Sequence, residues 1–254
     1  MSQSPAQLVW IPGFMGSADF FAPLQSELST AFSHWWPEPF LESHFWSAGS
    51  FHEWVVLFQR WVNERLSTSG PRVLIGYSLG GRFALHVMNE FSDQWSQAFL
   101  FSAHPGLTNA KDRATREQFN QHWAGRFVAE PAEEVLRDWQ RLSVFENTSF
   151  YQSAQVAGMP QGELAKALTL YSPSRHDFAP LDLLNHSTKL TWILGKQDSK
   201  YMQLYDEVFK QQLSDIEVHL VDGAGHRVPL DQPRAVAQIL QAKISSLLAS
   251  RDLG

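Results

Sequence analysis

No cysteine occurs in the 254 residues, which excludes disulfides and thiolate metal sites. No run of about 20 apolar residues occurs either, so no membrane-spanning helix is expected. Met1 to Pro12 lacks a basic start followed by a long apolar stretch, so no signal peptide is expected and the cytoplasm is the default compartment. Positive charge is scarce: the formal net charge is −6, with no basic stripe, which argues against a nucleic-acid partner. Internal repeats, low-complexity tracts and an H-E-x-x-H pattern are all absent, and with them the usual sequence sign of a catalytic metal.

What is present is a large apolar fraction, 44%, enough for a substantial core. Ten tryptophans occur, and Trp35, Trp36, Trp46, Trp54 and Trp61 crowd one early stretch. Large amphipathic rings read first as packing, with an aromatic substrate pocket as the alternative.

Short apolar runs alternate with helical spacing. Gln7 to Ile11, Val73 to Ile75, Gln97 to Phe101, Leu190 to Leu194 and Ile216 to Val221 read as strands. Phe20 to Phe32, Ser50 to Leu66, Leu79 to Phe91, Met202 to Gln211 and Pro233 to Leu248 read as helices. Within Ser50 to Leu66, the residues Phe51, Trp54, Val55, Phe58 and Val62 share one face. From His104 to His186 strand-like runs disappear, and helix-favouring segments such as Asp112 to Phe127 and Ala132 to Trp139 dominate. The expected organisation is a core formed by residues 1–103 and 187–254, with a helical cap inserted at 104–186. Strand–helix alternation in the core implies a mainly parallel sheet covered by helices.

The chemistry centres on Gly76-Tyr77-Ser78-Leu79-Gly80, a G-x-S-x-G pattern. The pattern alone is common. Here it sits between a buried strand and an amphipathic helix, the setting in which a serine oxygen projects from a tight turn. The alternative is a structural turn that merely contains serine. A serine hydroxyl needs a histidine to take its proton, and the histidine needs an acid to orient it. Asp198 follows the strand Leu190 to Leu194, and His226 follows the strand Ile216 to Val221, both at C-terminal strand ends where open α/β sheets place their sites. Asp222 is nearer to His226 in sequence and is the competing acid. An oxyanion hole needs two backbone N–H donors, and those of Leu79 and Phe14 are the candidates. No metal or other cofactor is expected.

These segments together resemble the α/β-hydrolase superfamily. Two longer stretches, Gly76 to Arg82 (GYSLGGR) and His104 to Arg116 (HPGLTNAKDRATR), resemble the 2-succinyl-6-hydroxy-2,4-cyclohexadiene-1-carboxylate synthase family of the menaquinone pathway. Trp123 to Pro131, Asp138-Trp139 followed by Val144-Phe145, and Asp198-Ser199-Lys200 support it. The resemblance implies a cofactor-free lyase in which Ser78, activated by His226, abstracts a substrate proton and pyruvate leaves. It also implies a small carboxylated substrate held by Arg82 and Arg116, with Tyr77 and Trp139 lining the pocket. Otherwise both arginines are solvated helix residues and both aromatics are packing. The chain departs from the family at Pro12-Gly13, where His-Gly is usual, and across Ser33 to Ser50, which lacks a D-x-P-G-x-G-x-S stretch. A cap arginine expected after Phe145 is also missing; Ala157 falls near its place and Arg175 comes later. A carboxylic ester or thioester hydrolase acting through a Ser78 acyl-enzyme is the alternative activity, and a non-catalytic binding protein is the third reading.

Overall fold

A computed structural model describes residues 4–251; positions 1–3 and 252–254 of the expected core lie outside the described residues. Six strands form one sheet: β1 (Gln7–Ile11), β2 (Ser33–Trp35), β3 (Arg72–Tyr77), β4 (Gln97–Phe101), β5 (Leu190–Gly195) and β6 (Glu217–Val221). Their order is β2-β1-β3-β4-β5-β6, with every neighbouring pair parallel. In chain order the helices are α1 (Ala22–Ser26), α2 (Phe51–Arg65), α3 (Leu79–Phe91), α4 (Ala110–Ala129), α5 (Ala132–Trp139), α6 (Gln161–Leu170), α7 (Ser199–Leu204), α8 (Lys210–Gln212), α9 (Val228–Asp231) and α10 (Pro233–Arg251). No helix among the described residues is long and apolar enough to cross a membrane.

The sheet is covered on both faces because its strands are apolar at consecutive positions. Val9 and Ile11 of β1 join the core on the face of α2 and α3, while Leu8 and Trp10 join the core on the face of α10. All ten residues of β1 and β4 are buried. The predicted face of α2 is buried as read, and Ser50 caps the helix by accepting the Glu53 N–H at 3.1 Å. The early tryptophans mostly pack: Trp54 stacks between Phe58 and Phe83, and Trp61 is buried on the same helix, whereas Trp36 reaches solvent.

The helix read over Phe20 to Phe32 is much shorter. A 3-10 turn at Ala18–Phe21 leads into α1, which stops at Ser26. Beyond it the Ser29 hydroxyl accepts the Ala31 N–H at 3.2 Å, a local bond that competes with helix continuation. The chain then extends into β2, a three-residue edge strand too short to show a periodicity.

Chain direction positions the site. From β1 the chain moves outward to β2, and from β3 it moves the other way to β4, so the order reverses between β1 and β3. The crevice outside the C-terminal ends of such strands is where open α/β sheets bind ligands. Between β4 and β5 the described chain is entirely helix, turn and loop, with α4 packed along α6. Arg126 of α4 bonds both Glu130 and Asp138 at 2.7 Å, tying α4 to α5.

Candidate active site

Ser78 ends β3 and begins α3 with φ +51°, the strained left-handed backbone of a sharp strand-to-helix turn. The turn requires small neighbours. A Cβ on Gly80 would overlap the Ile11 and Pro12 carbonyl oxygens, so only glycine lets α3 approach the end of β1 this closely. Gly195 does the same between the β5 and β6 loops, where a Cβ would overlap the Ala224 and Gly225 carbonyls.

Those loops bring Asp198 and His226 to Ser78. His226 Nδ1 lies 2.7 Å from Asp198 Oδ2, and His226 Nε2 lies 3.3 Å from Ser78 Oγ. A carboxylate only accepts, so Nδ1 carries the proton and the Nε2 lone pair faces the serine hydroxyl. Asp198 and His226 are both 4% exposed. The second Asp198 oxygen accepts the Tyr201 N–H at 3.2 Å, and the Ser102 hydroxyl donates to the His226 carbonyl at 2.9 Å, so both partners are fixed from behind. Asp222, the competing acid, faces solvent and pairs with Lys196 at 2.8 Å.

Ser78 and His226 open into a cavity whose wall includes Phe14, Arg82, His104, Arg116, Trp139 and Lys200. Among the described residues, none of those lining it is acidic. Arg82, one helical turn beyond Ser78, is 9% exposed and its Nε has no hydrogen-bond partner. Burial, aided by the charge of Arg116, pushes its pKa down to about 9. Arg116 donates from Nε to Asn120 at 3.1 Å and lies over the Phe119 ring; burial lowers its pKa too. Burial followed by repulsion from Arg116 brings Lys200 down to about 8. Three cations thus share one cavity with no acidic side chain in its lining, an arrangement that costs stability unless a ligand supplies the charge.

Of the residues read from sequence, Ser78, Asp198, His226, Arg82, Arg116, Phe14 and Trp139 meet at this cavity or directly behind it. The Leu79 amide is the first of α3 and has no acceptor one turn back within the helix. Tyr77 stands elsewhere: its ring stacks on Phe20 at 4.3 Å and lines a neighbouring cavity that includes Met15, Tyr151 and Arg227. Trp139 borders both cavities. Arg175 pairs with Glu117 at 3.3 Å near the surface and does not replace the missing cap arginine.

Lys200 and His104 were not identified as site residues from sequence, although each sits in a stretch that carried the family resemblance. His104 Nδ1 accepts the Gly106 N–H at 3.1 Å, which leaves the ring proton on Nε2. Burial, then the charges of Arg116, Lys200 and Arg82, hold its pKa well below the ordinary value, so it is a neutral donor.

Comparison with known proteins agrees with this fold. The Alpha/beta hydrolase family model matches residues 8–239. The 2-succinyl-6-hydroxy-2,4-cyclohexadiene-1-carboxylate synthase of Klebsiella pneumoniae is 28% identical over 177 residues, 68% of each chain. The Escherichia coli protein of that name is 30% identical over 176 residues, 66% of this chain and 68% of the relative. Among solved structures, MenH from S. aureus superposes with a TM-score of 0.79 at 16% identity, covering 97% of this chain and 96% of that one. A carboxylesterase of the thaumarchaeon Nitrososphaera gargenis gives 0.72 at 17% identity, covering 97% and 92%. At such identities the two structures speak for the fold alone. With the family model spanning most of its length, the chain belongs to the alpha/beta hydrolase family and is a relative of the 2-succinyl-6-hydroxy-2,4-cyclohexadiene-1-carboxylate synthases.

Proposed function

We propose that this protein is a carbon–oxygen lyase that releases pyruvate from a polycarboxylated intermediate of the menaquinone pathway, with Ser78 as the base. The observation that carries this reading is the cation cluster: Arg82, Arg116 and Lys200 border the same cavity as Ser78 and His226, with no acidic residue among its lining. A substrate with several carboxylates supplies the missing charge, and arginine gives planar two-point contacts to each. The named relatives support the substrate class. In this reading residues 104–186 act as the cap that closes over the substrate.

The steps follow from the geometry. Asp198 holds the Nδ1 proton of His226, and Nε2 takes the Ser78 hydroxyl proton as Ser78 Oγ removes a proton from a substrate carbon. The electron pair of the broken C–H bond forms a new double bond as the C–O bond to the leaving group breaks. That group departs as the enolate of pyruvate and takes up at carbon the proton held by His226, which gives pyruvate and returns Ser78 and His226 to their starting protonation. Backbone N–H groups of Phe14 and Leu79 stabilise the negative charge that develops on oxygen. Ester or thioester hydrolysis is the second reading, favoured by the likeness to a carboxylesterase fold, since a Ser-His-Asp arrangement serves acyl transfer equally well.

Incubation with the pathway intermediate, following pyruvate and a panel of neutral esters in parallel, separates the two. Pyruvate release at least a hundredfold more efficient than cleavage of any ester is the expected result; ester cleavage without pyruvate would sink the lyase reading.

The pH dependence adds a second check. Lys200 is cationic below about 8 and neutral above it, so kcat/KM for the anionic substrate is expected to fall as pH rises through that value. Lys200→Met should lower kcat/KM at pH 7 and flatten this limb. An unchanged alkaline limb in the variant would remove Lys200 from the substrate contacts.

A further inference from the structure

We propose that His86, Glu90 and Asp177 form a divalent-metal site of the zinc class that fastens the inserted helical segment to the helix carrying Ser78. His86 and Glu90 are four residues apart on α3 and therefore share a face. Asp177 comes from the chain between α6 and β5. One ligand atom from each residue lies within 4.8 Å of the other two.

His86 supplies the independent observation. Its side chain is 1% exposed, and neither ring nitrogen makes a hydrogen bond, although Nδ1 is only 3.1 Å from Asp177 Oδ1. A buried imidazole this close to a carboxylate ordinarily aligns with it as a donor. Here the contact is misaligned, as two ligands of a shared cation are. His52 Nδ1 lies 2.8 Å from Glu90 Oε2, and a donor there fixes how that carboxylate is presented. Phe51 stacks on His86 at 3.8 Å and holds its ring in place.

The donor set is one imidazole nitrogen and two carboxylates, with room for water as a fourth ligand. That set suits Zn²⁺ and its first-row neighbours; the nitrogen disfavours Mg²⁺ and Ca²⁺.

His86 lies eight residues beyond Ser78, about 12 Å along the helix at 1.5 Å per residue. An ion there is out of reach of the Ser78 chemistry. It links α3 to the inserted segment at residue 177, so its effect is on stability and on the seating of that segment.

The test uses full-length protein dialysed against a chelator and titrated with Zn²⁺ or Mg²⁺ by calorimetry, with thermal melts alongside and Co²⁺ as an absorption probe. Wild-type protein should bind one equivalent of Zn²⁺ with micromolar or tighter affinity, bind no Mg²⁺, and melt several degrees higher when loaded. Glu90→Gln and Asp177→Asn should each weaken Zn²⁺ binding at least tenfold and abolish the d–d bands of bound Co²⁺. Both carboxylates reach solvent, so melts of the metal-free variants should match the metal-free wild type. Glu217→Gln, at the surface pair with His219, should leave binding unchanged. Absence of saturable Zn²⁺ binding, or binding that Glu90→Gln and Asp177→Asn leave intact, would overturn the proposal.

Discussion

Ser78→Ala should lower kcat/KM by about a thousandfold or more while leaving the thermal melt close to wild type. The rate effect follows from Ser78 Oγ being the hydroxyl that faces the His226 lone pair at 3.3 Å. Without it neither proton abstraction nor acylation has its reacting atom, and members of such a unit are lost nearly all at once. The fold is spared because alanine tolerates the +51° φ no worse than serine does, and the Ser78 hydroxyl caps nothing in α3. His226→Ala should match the rate loss but also destabilise, because it strips the buried Asp198 carboxylate of its 2.7 Å partner. Removing one member of a buried charge-assisted pair costs about 1–3 kcal/mol or more. The two variants therefore separate chemistry from stability in one measurement. Steady-state rates and melts of both, with labelling by a serine-directed covalent probe, check it. Turnover of Ser78→Ala near the wild-type rate would remove Ser78 from the reaction.

Core strands and helices were legible because their signals are local. Gln7 to Ile11 and Gln97 to Phe101 are short apolar runs in a chain that alternates strand and helix, and both became central strands with matching ends. Leu79 to Phe91 and Ala132 to Trp139 likewise have the bounds their spacing suggested. The misses fall where tertiary context outweighs pattern. α1 ends early because serine side chains offer the backbone other partners, and β2 exists only because β1 provides an edge to pair with. The helix α6 carries little amphipathic signal, since it is buried partly by α4 rather than by the sheet.

The site was legible to the extent that catalytic chemistry constrains sequence. A serine in a glycine-flanked turn, and an acid and a histidine after later strands, can be ordered along the chain without a structure. Burial cannot be read that way. Lys200 reads as an ordinary polar residue at the start of α7, and only the folded chain turns it towards Arg82 and Arg116. Tyr77 shows the converse: it neighbours Ser78 in sequence, yet strand alternation sends its ring against Phe20 on the other side of the sheet end. The His86 cluster joins α3 to a residue 87 positions beyond Glu90, with only the His86–Glu90 spacing local.

Arg82→Ala and Arg116→Ala should each lower kcat/KM for the polycarboxylated substrate by roughly 30-fold or more. Truncating one partner of a buried, hydrogen-bonded charge pair typically costs about 2–5 kcal/mol, and each 1.36 kcal/mol is a factor of ten. Lysine should restore only part of the loss, because an ammonium cannot make the planar two-point contact. Arg82→Ala should not melt earlier than wild type. In the free protein Arg82 is a buried cation with an unpartnered Nε, and its pKa depressed to about 9 means that holding the charge opposes folding at neutral pH. A basic group whose folded pKa lies below its unfolded value destabilises while it is charged, and the penalty shrinks as pH rises through about 9. Arg82→Met should therefore raise the melting temperature at pH 7 while it slows turnover, the opposite of what a structural arginine would do. Cleavage of a small neutral ester, where detectable, should change little, since it needs only Ser78, His226, Asp198 and the two amides. Steady-state kinetics on both substrate types, paired with melts at pH 7 and pH 9.5, carry the comparison. Full efficiency of both variants on the carboxylated substrate would leave the cation cluster without a function and make ester hydrolysis the better account.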